Sequence, residues 1–427
     1  MTIPGLSQHC VDEFADWVGL RDNCGGLERQ SRVEDLVARA CWSGIVEPGD
    51  SVANALICAV GSGPALAMVV EGWSAEQIED RLRGANVRDV AQLAPTQLRG
   101  ALSRWQPRLS LSRAVATVRA ARHLGARFIV PAGEHWIAAL DDLGLHAPVG
   151  LWIRGAPERL SALTRSIALV GARAASGYGE HVAMEAASSL AGRNIAIVSG
   201  AAYGIDGAAH RATLAREGLT AAFLAGGIDR FYPSGNSPLL SRIADRGVVI
   251  SELAVGAAPT RWRFLQRNRL IAAATGATVV IEAGRRSGSL NTAGHAAALA
   301  RPLGAVPGSV TSPGSEGCHR LLREYDAICV TNATDMAELI GDTAFDPSDM
   351  SATGTRTESD LASSRVYDAL HARQARSDHA IAEHSGLSIE AVRAELGILN
   401  VLGCVAELSL GWIRQTPRSE RSSKTFT

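Results

Sequence analysis

Residues 259–292 read P-T-R-W-R-F-L-Q-R-N-R-L-I-A-A-A-T-G-A-T-V-V-I-E-A-G-R-R-S-G-S-L-N-T, and their order decides the fold class. A helical pattern leads into the apolar run Ala277 to Ala283. That run ends in Arg285, Arg286 and the loop Ser287-Gly288-Ser289, and a second helical pattern starts near Leu290. A short apolar strand held between two helices is the repeating unit of a mostly parallel sheet covered on both faces. The stretch also crowds Arg261, Arg263, Arg267 and Arg269 into nine residues, beside Trp262, Phe264 and Asn268. The natural partner of such cations is a polyanion: each guanidinium gives phosphate a charge-assisted, often bidentate hydrogen bond, and the aromatics offer faces on which bases stack. Backbone amides at the glycine-containing helix start add an anion-binding element.

Outward from this stretch, strand-like runs recur at Arg127 to Val130, Leu151 to Ile153, Ile167 to Val170, Ile195 to Val198, Ala221 to Leu224, Val248 to Ile250, Leu303 to Val306 and Ile328 to Val330. Amphipathic helices of about ten to fifteen residues separate most of them. The expected fold is α/β, an extended Rossmann-like, mostly parallel sheet over 113–341, with ligands bound outside the carboxyl ends of the strands. Those ends carry G-A-R-A-A-S-G-Y-G (171–179), S-G-A-A-Y-G-I-D (199–206), G-G-I-D-R-F-Y-P (226–233), S-E-L (251–253) and P-G-S (307–309), so glycines and cations gather on one rim.

The flanks differ. Residues 1–30 read as an extension with one amphipathic piece near Val11 to Val18. Residues 31–112 are patterned as a small helical domain of the SAM/helix-hairpin-helix kind, centred on A-V-G-S-G-P-A-L-A (59–67). Its second helix, Ala65 to Val70, has no Arg or Lys to support a phosphate contact, so it reads as a packing or partner-binding module. The segment Ser51 to Val70 lacks charge, but Gly61-Ser62-Gly63-Pro64 interrupts it, which predicts two short helices and no membrane span. A polar, turn-forming linker occupies 342–362. Three helical patterns and an alternating hairpin over 363–415 have the order of a winged helix-turn-helix, and 416–427 is a polar tail expected to be disordered.

Net charge is −1 and the pI is near 6.8, so a polyanion site has to be a local patch. Lys424 is the single lysine among 42 basic residues. Seven cysteines lie apart without C-x-x-C spacing, which points to a reducing compartment; Cys318, His319 and Cys329 are expected to pack and not to hold metal. The N-terminus lacks a basic-then-apolar leader, so no signal peptide is expected.

Three enzyme classes fail on their motifs. A dinucleotide site wants G-x-G-x-x-G, and the first turn here is Gly171-Ala172-Arg173. A P-loop wants G-K-S/T, and no serine sits in G-x-S-x-G. A nucleotide phosphoribohydrolase is the remaining enzymatic alternative, but Gly294 and His295 stand where its glutamate is wanted. Asp206 and His210, four apart, are better read as a helix-start carboxylate and a packed imidazole than as an acid–base pair.

The ordered motifs I-A-L-V-G-A-R (167–173), S-G-A-A-Y-G-I-D-G-A-A-H (199–210), G-I-D-R-F-Y-P (227–233), R-N-R-L-I-A (267–272), S-G-S-L-N-T-A (287–293) and A-V-P-G-S (305–309) together resemble the DNA-processing protein A (DprA, also called Smf) family over about 151–340. The resemblance implies a cytosolic, homodimeric, non-catalytic, cofactor-free protein that binds single-stranded DNA on its Rossmann sheet. It further implies that the protein loads the recombinase RecA onto that DNA during natural transformation. Carried over by position, Gly171 and Arg173 match the family's first glycine turn, with Ala172 for its serine. Arg261, Phe264, Arg267, Asn268 and Arg269 match its DNA-contacting segment, alongside Arg263; Ser287, Gly288, Ser289 and Thr292 match the neighbouring loop. Gly317-Cys318-His319 stands where G-T-N or G-C-N is more usual. On the residues alone, Arg267 and Arg269 could instead pair with Glu252 and Glu282, and Phe264 could be a core aromatic.

Overall fold

The computed structural model describes residues 26–83, 94–342, 362, 365–371, 374–401, 405–408 and 411–414, with His9, Glu13, Phe14 and Trp17. Most of the expected N-terminal extension, the helical patterning expected at 87–93, nearly all of the linker and the tail lie outside them. The chain divides into two units, 1–343 and 344–427.

The first unit begins with helices α1 (Gly26–Ile45), α2 (Ser51–Val60), α3 (Ser62–Val70), α4 (Ala75–Arg83), α5 (Pro95–Trp105) and α6 (Leu111–His123). Asp50 caps α2 by accepting from the Val52 and Ala53 amides, and Gly61, at φ 86°, turns the chain into α3 with a bend of 114°. Among the described residues no helix is long and apolar enough to cross a membrane. At the hairpin the Ser62 hydroxyl donates to the Asp35 carboxylate at 2.5 Å and the Trp42 indole donates to the Ser62 carbonyl at 3.1 Å. A carboxylate therefore stands where a phosphate-binding hairpin would want positive charge.

The sheet contains β1 (Arg127–Ile129), β2 (Leu151–Gly155), β3 (Ser166–Gly171), β4 (Ala196–Ser199), β5 (Thr220–Phe223), β6 (Val248–Ser251), β7 (Ala277–Glu282), β8 (Leu303–Ala305) and β9 (Ile328–Cys329) in the order β1-β2-β6-β5-β4-β3-β7-β8-β9. All pairs from β6 to β9 are parallel; β1 with β2 and β2 with β6 are antiparallel. Helices α7 (Gly177–Gly192), α8 (Ile205–Ala215) and α9 (Ser237–Arg246) cover one face, where Ala183, Ala187 and Leu190 pack on Ile167, Leu169 and Ile197. Helices α10 (Arg261–Ala273), α11 (Ser289–Ala298) and α12 (Glu316–Glu324) cover the other, where Leu270, Ala273 and Ala293 pack near Ala168, Val170, Phe223 and Val280. Alternate residues of β3 serve opposite faces, so both must be apolar, which is why the strands appear in the sequence as unbroken apolar runs.

The helical core of Trp42, Leu56, Leu66, Leu98 and Trp105 continues into Phe128 of β1 and Trp152 of β2, and the Trp152 indole donates to Ser43 Oγ at 3.2 Å. Helix α6, which the sequence places with the sheet, puts Val118 and Ala121 into this same core. A short helix, α13 (Ala333–Glu338), closes the unit. The second unit holds α14 (Asp378–Ser385), α15 (Ile389–Val401) and the antiparallel hairpin β10 (Val405–Leu408) and β11 (Gly411–Arg414) around Val366, Leu370, Ile381, Val392, Leu396 and Val405. Gly386, left-handed at φ 67°, ends α14.

Candidate nucleic-acid interface

Because β3 to β8 run parallel, the loops that follow them emerge on one rim, and the chain's reversal between β3 and β7 makes that rim a topological switch point. Helix α10 starts there. Thr260 caps it by accepting from the Arg263 amide at 3.3 Å. Its first turn is basic, with Arg261 and Arg263 at the positive end of the helix dipole, an arrangement that helix stability disfavours and an external anion would relieve. Arg261 and Trp262 are exposed. Arg263 is engaged: its Nε and Nη2 donate to Glu47 Oε2 and Oε1 at 3.0 and 2.8 Å, and Arg108 reaches the same carboxylate at 2.7 Å. Partial burial raises the Glu47 pKa, but the arginine contacts outweigh it and hold the carboxyl below its ordinary range.

One helical turn on, Phe264 is half-buried between cations. The Arg173 guanidinium lies 4.9 Å from its ring centre, that of Arg267 lies 5.8 Å away, and the Tyr232 ring lies 5.6 Å away. Arg173 is exposed, whereas Arg267 is 6% exposed and donates through Nη1 to the Phe223 carbonyl. Gly200 makes room for it, since a Cβ there would overlap the guanidinium. Burial pushes the Arg267 pKa down to about 10, with Asp206 raising and Arg173 lowering it, so it is cationic at neutral pH. Its Nε has no partner.

The last arginine of the stretch is structural. Arg269, 3% exposed, grips Glu252 with Nη1 to Oε2 at 2.8 Å and Nη2 to Oε1 at 2.7 Å; its Nε donates to the His146 carbonyl, and Glu252 also accepts from the Gly49 amide. The Arg269–Glu252 pairing open in the sequence is therefore present. Among the described residues Glu282 pairs with no arginine; it accepts from the Ser176 amide at 2.9 Å. Asn268 donates to the Gly288 carbonyl and to Asn291 Oδ1, tying α10 to the 287–289 loop, where the Ser287 and Ser289 hydroxyls lie 2.7 Å apart. Gly288 is exposed, but Ser289 and Thr292 are buried. Gly171, at the end of β3, is where a Cβ would press on Ile205 and the Glu282 carbonyl.

Asp206 accepts from the Gly200 and Ala202 amides at 3.1 and 3.3 Å, and burial raises its pKa. Thr220 Oγ1 donates to the Ile197 carbonyl, so toward His210 it is the acceptor. The imidazole therefore carries its proton on Nδ1, 2.6 Å from that oxygen, with Nε2 bare and unpartnered. Burial, helped by Arg267 and Arg211, pushes His210 down to about 3. His319 contacts the Gly308 carbonyl at 3.0 Å, and Cys318 is buried against Val280.

The structure thus brings together Arg173, Phe264 and the underlying Arg267, leaves Arg261 exposed in the first turn of α10, ties Gly288 to that helix through Asn268, and engages Arg263 and Arg269 in ion pairs with Glu47 and Glu252. Sequence reasoning passed over Tyr178, Tyr203 and Tyr232, which are each about half exposed. They were findable: each is the aromatic residue exposed in a glycine-rich motif already recognised as part of the rim.

Comparison with known proteins points one way. The family model for DNA recombination-mediator protein A matches residues 127–341, which takes in β1 and β2 as well as the motif-bearing strands. A protein named DNA processing protein DprA in Mycobacterium tuberculosis is 46% identical over 308 residues, covering 69% of this chain and 79% of the relative. The DNA processing protein DprA of Streptococcus pneumoniae is 39% identical over 190 residues, 44% of this chain and 66% of its own. The X-ray structure of the pneumococcal protein superposes with a TM-score of 0.55 at 27% identity, covering 73% of this chain and 99% of the other.

Proposed function

The chain belongs to the DNA recombination-mediator protein A family, and from that premise we propose that it binds single-stranded DNA along the carboxyl rim of its sheet and delivers it to a RecA-type recombinase. One observation carries the reading. Arg173 and Arg261 are exposed and, among the described residues, unopposed by a carboxylate; Arg173 stands beside the Phe264 ring, which also lies over the buried cation Arg267, and Arg261 precedes that ring in the first turn of α10.

In this mechanism Arg173 and Arg261, with Arg285 and Arg286 of the β7 loop, take phosphate oxygens of the strand. Arg267 does not touch DNA; it seats Phe264 and adds fixed positive charge beneath it. Unpaired bases stack on the rim aromatics, which a duplex, with its bases inside, cannot do. The reading is non-catalytic: His210 is fully buried with its Nδ1 proton held by Thr220, and Asp206 is occupied by two amides. Release of the strand to RecA, action as a homodimer in the cytoplasm, and a role in natural transformation belong to the same proposal. So does a winged-helix reading of 363–415. Its α15 carries Arg393, paired with Asp378 at 2.8 Å, as the only arginine of that helix, which favours protein contacts over sequence-specific duplex binding.

The test is a titration of matched single-stranded and duplex oligonucleotides. Clear single-strand preference is expected, together with faster RecA filament formation on strands pre-coated by a single-strand-binding protein. Equal or better duplex binding would contradict the proposal.

A further inference from the structure

We propose that Tyr178, Tyr203 and Tyr232, continued by Trp262, form a set of base-stacking positions along the rim, so that the bound single strand crosses the connections that follow β3, β4, β5 and β6. The inference rests on the single-strand reading and adds to it the path of the DNA and the residues that meet its bases.

The topology sets up the row. β3, β4, β5 and β6 are successive neighbours in the sheet, and the connection after each delivers one exposed aromatic: Tyr178 at the start of α7, Tyr203 before α8, Tyr232 in the loop after β5 and Trp262 at the start of α10. Their exposures are 52%, 49%, 49% and 57%. Four large rings left half in water on one rim are out of keeping with a chain that buries Trp42, Trp105, Trp152 and Phe223 completely.

The tyrosine rings are also held in place. The Tyr178 hydroxyl donates to the Pro307 carbonyl at 2.9 Å. Tyr203 lies against Gly235, where a Cβ would come within 2.6 Å of its hydroxyl, and Tyr232 leans on Phe264. Fixed rings lose little freedom on binding, which suits a surface that must take any base. The occupant is set by charge: among the described residues Arg173, beside the Phe264 ring on which Tyr232 leans, and Arg261, next to Trp262 in the chain, have no carboxylate partner, so a strand whose bases lie over the rings has cations at hand for its phosphates.

The experiment compares a twelve-residue thymidine oligonucleotide with an abasic strand of equal length. It uses the full chain as wild type, as Tyr178→Ala, Tyr203→Ala and Tyr232→Ala, and as the three Phe counterparts. Each Ala variant is expected to bind the thymidine strand about tenfold more weakly, at the low end of what removing one stacking partner costs. The abasic strand and the salt slope should be unaffected; Tyr203→Phe and Tyr232→Phe should match wild type, and Tyr178→Phe, which loses the bond to Pro307, should fall between wild type and Tyr178→Ala. Ala variants that bind like wild type, while Arg173→Ala still weakens binding, would overturn the stacking assignment and leave the single-strand reading standing. Phe variants as weak as the Ala ones would also overturn it, by placing the effect on the hydroxyls. A wild type without single-strand preference would remove the reading and the stacking assignment together.

Discussion

Replacing Glu252 by Gln separates the frame of the site from its DNA-facing surface. The carboxylate and Arg269 share two hydrogen bonds of 2.7 and 2.8 Å, with side chains 9% and 4% exposed, and the pair is anchored to the helical region through the Gly49 amide and to 138–146 through the His146 carbonyl. Glu252→Gln keeps the shape but turns an NH2 group toward a guanidinium and leaves a buried cation without its counter-charge. Breaking one side of such a pair costs about 3–5 kcal/mol. At about 2 °C per kcal/mol for a unit of this size, the melting temperature should fall by roughly 6–10 °C. Differential scanning calorimetry reads this directly. Single-strand affinity measured well below the transition should stay within about twofold, because neither side chain reaches the rim surface. Combining Glu252→Leu with Arg269→Met should recover much of the stability, since an apolar pair of similar volume replaces a buried ion pair at little cost. Unchanged melting in Glu252→Gln, or weakened DNA binding with unchanged melting, would refute the structural assignment of Arg269.

Three further outcomes follow from the same geometry. His210 is near 3 when folded and about 6.5 when unfolded, so between those values only the unfolded chain binds the proton and stability falls as pH drops. The fall is about 2 kcal/mol from pH 7 to pH 5, and His210→Gln should remove that part of the difference in urea unfolding; equal pH dependence in both proteins would contradict it. Gly200→Ala drives a methyl into the Arg267 guanidinium, which should cost about 1–3 kcal/mol of stability and weaken single-strand binding, whereas wild-type affinity in the variant would show that Arg267 does not support the site. Glu47→Gln frees Arg263 for phosphate, so binding should tighten and the salt slope steepen by about 0.7; an unchanged slope would mean Arg263 stays with the frame.

The sheet was readable because strands buried on both faces leave unbroken apolar runs, as in Ile167 to Val170 and Val279 to Ile281. Two features of it were not. The antiparallel placing of β1 and β2 beyond β6, and the core shared by α6 with Trp42 and Trp152, depend on tertiary packing with no local pattern to announce it. The basic cluster was readable as charge but not as function. Arg263, Arg267 and Arg269 recur at spacings of four and two along one helix, and only the packing of α10 against Glu47, Phe223 and Glu252 shows which face points inward. The rim tyrosines were present in motifs already read as the rim; what the sequence did not show was their exposure, because in it an exposed aromatic looks the same as a buried one.

The most direct test is the salt dependence of single-strand binding for wild type and for Arg173→Ala combined with Arg261→Ala, followed by fluorescence anisotropy. If both guanidiniums hold phosphates, the variant binds more weakly at low salt and its log–log slope is flatter by about 1.4, from ~0.7 for each phosphate no longer neutralised. A slope equal to that of wild type would mean that the strand is held elsewhere, and the account of the rim as a DNA-binding surface would fail.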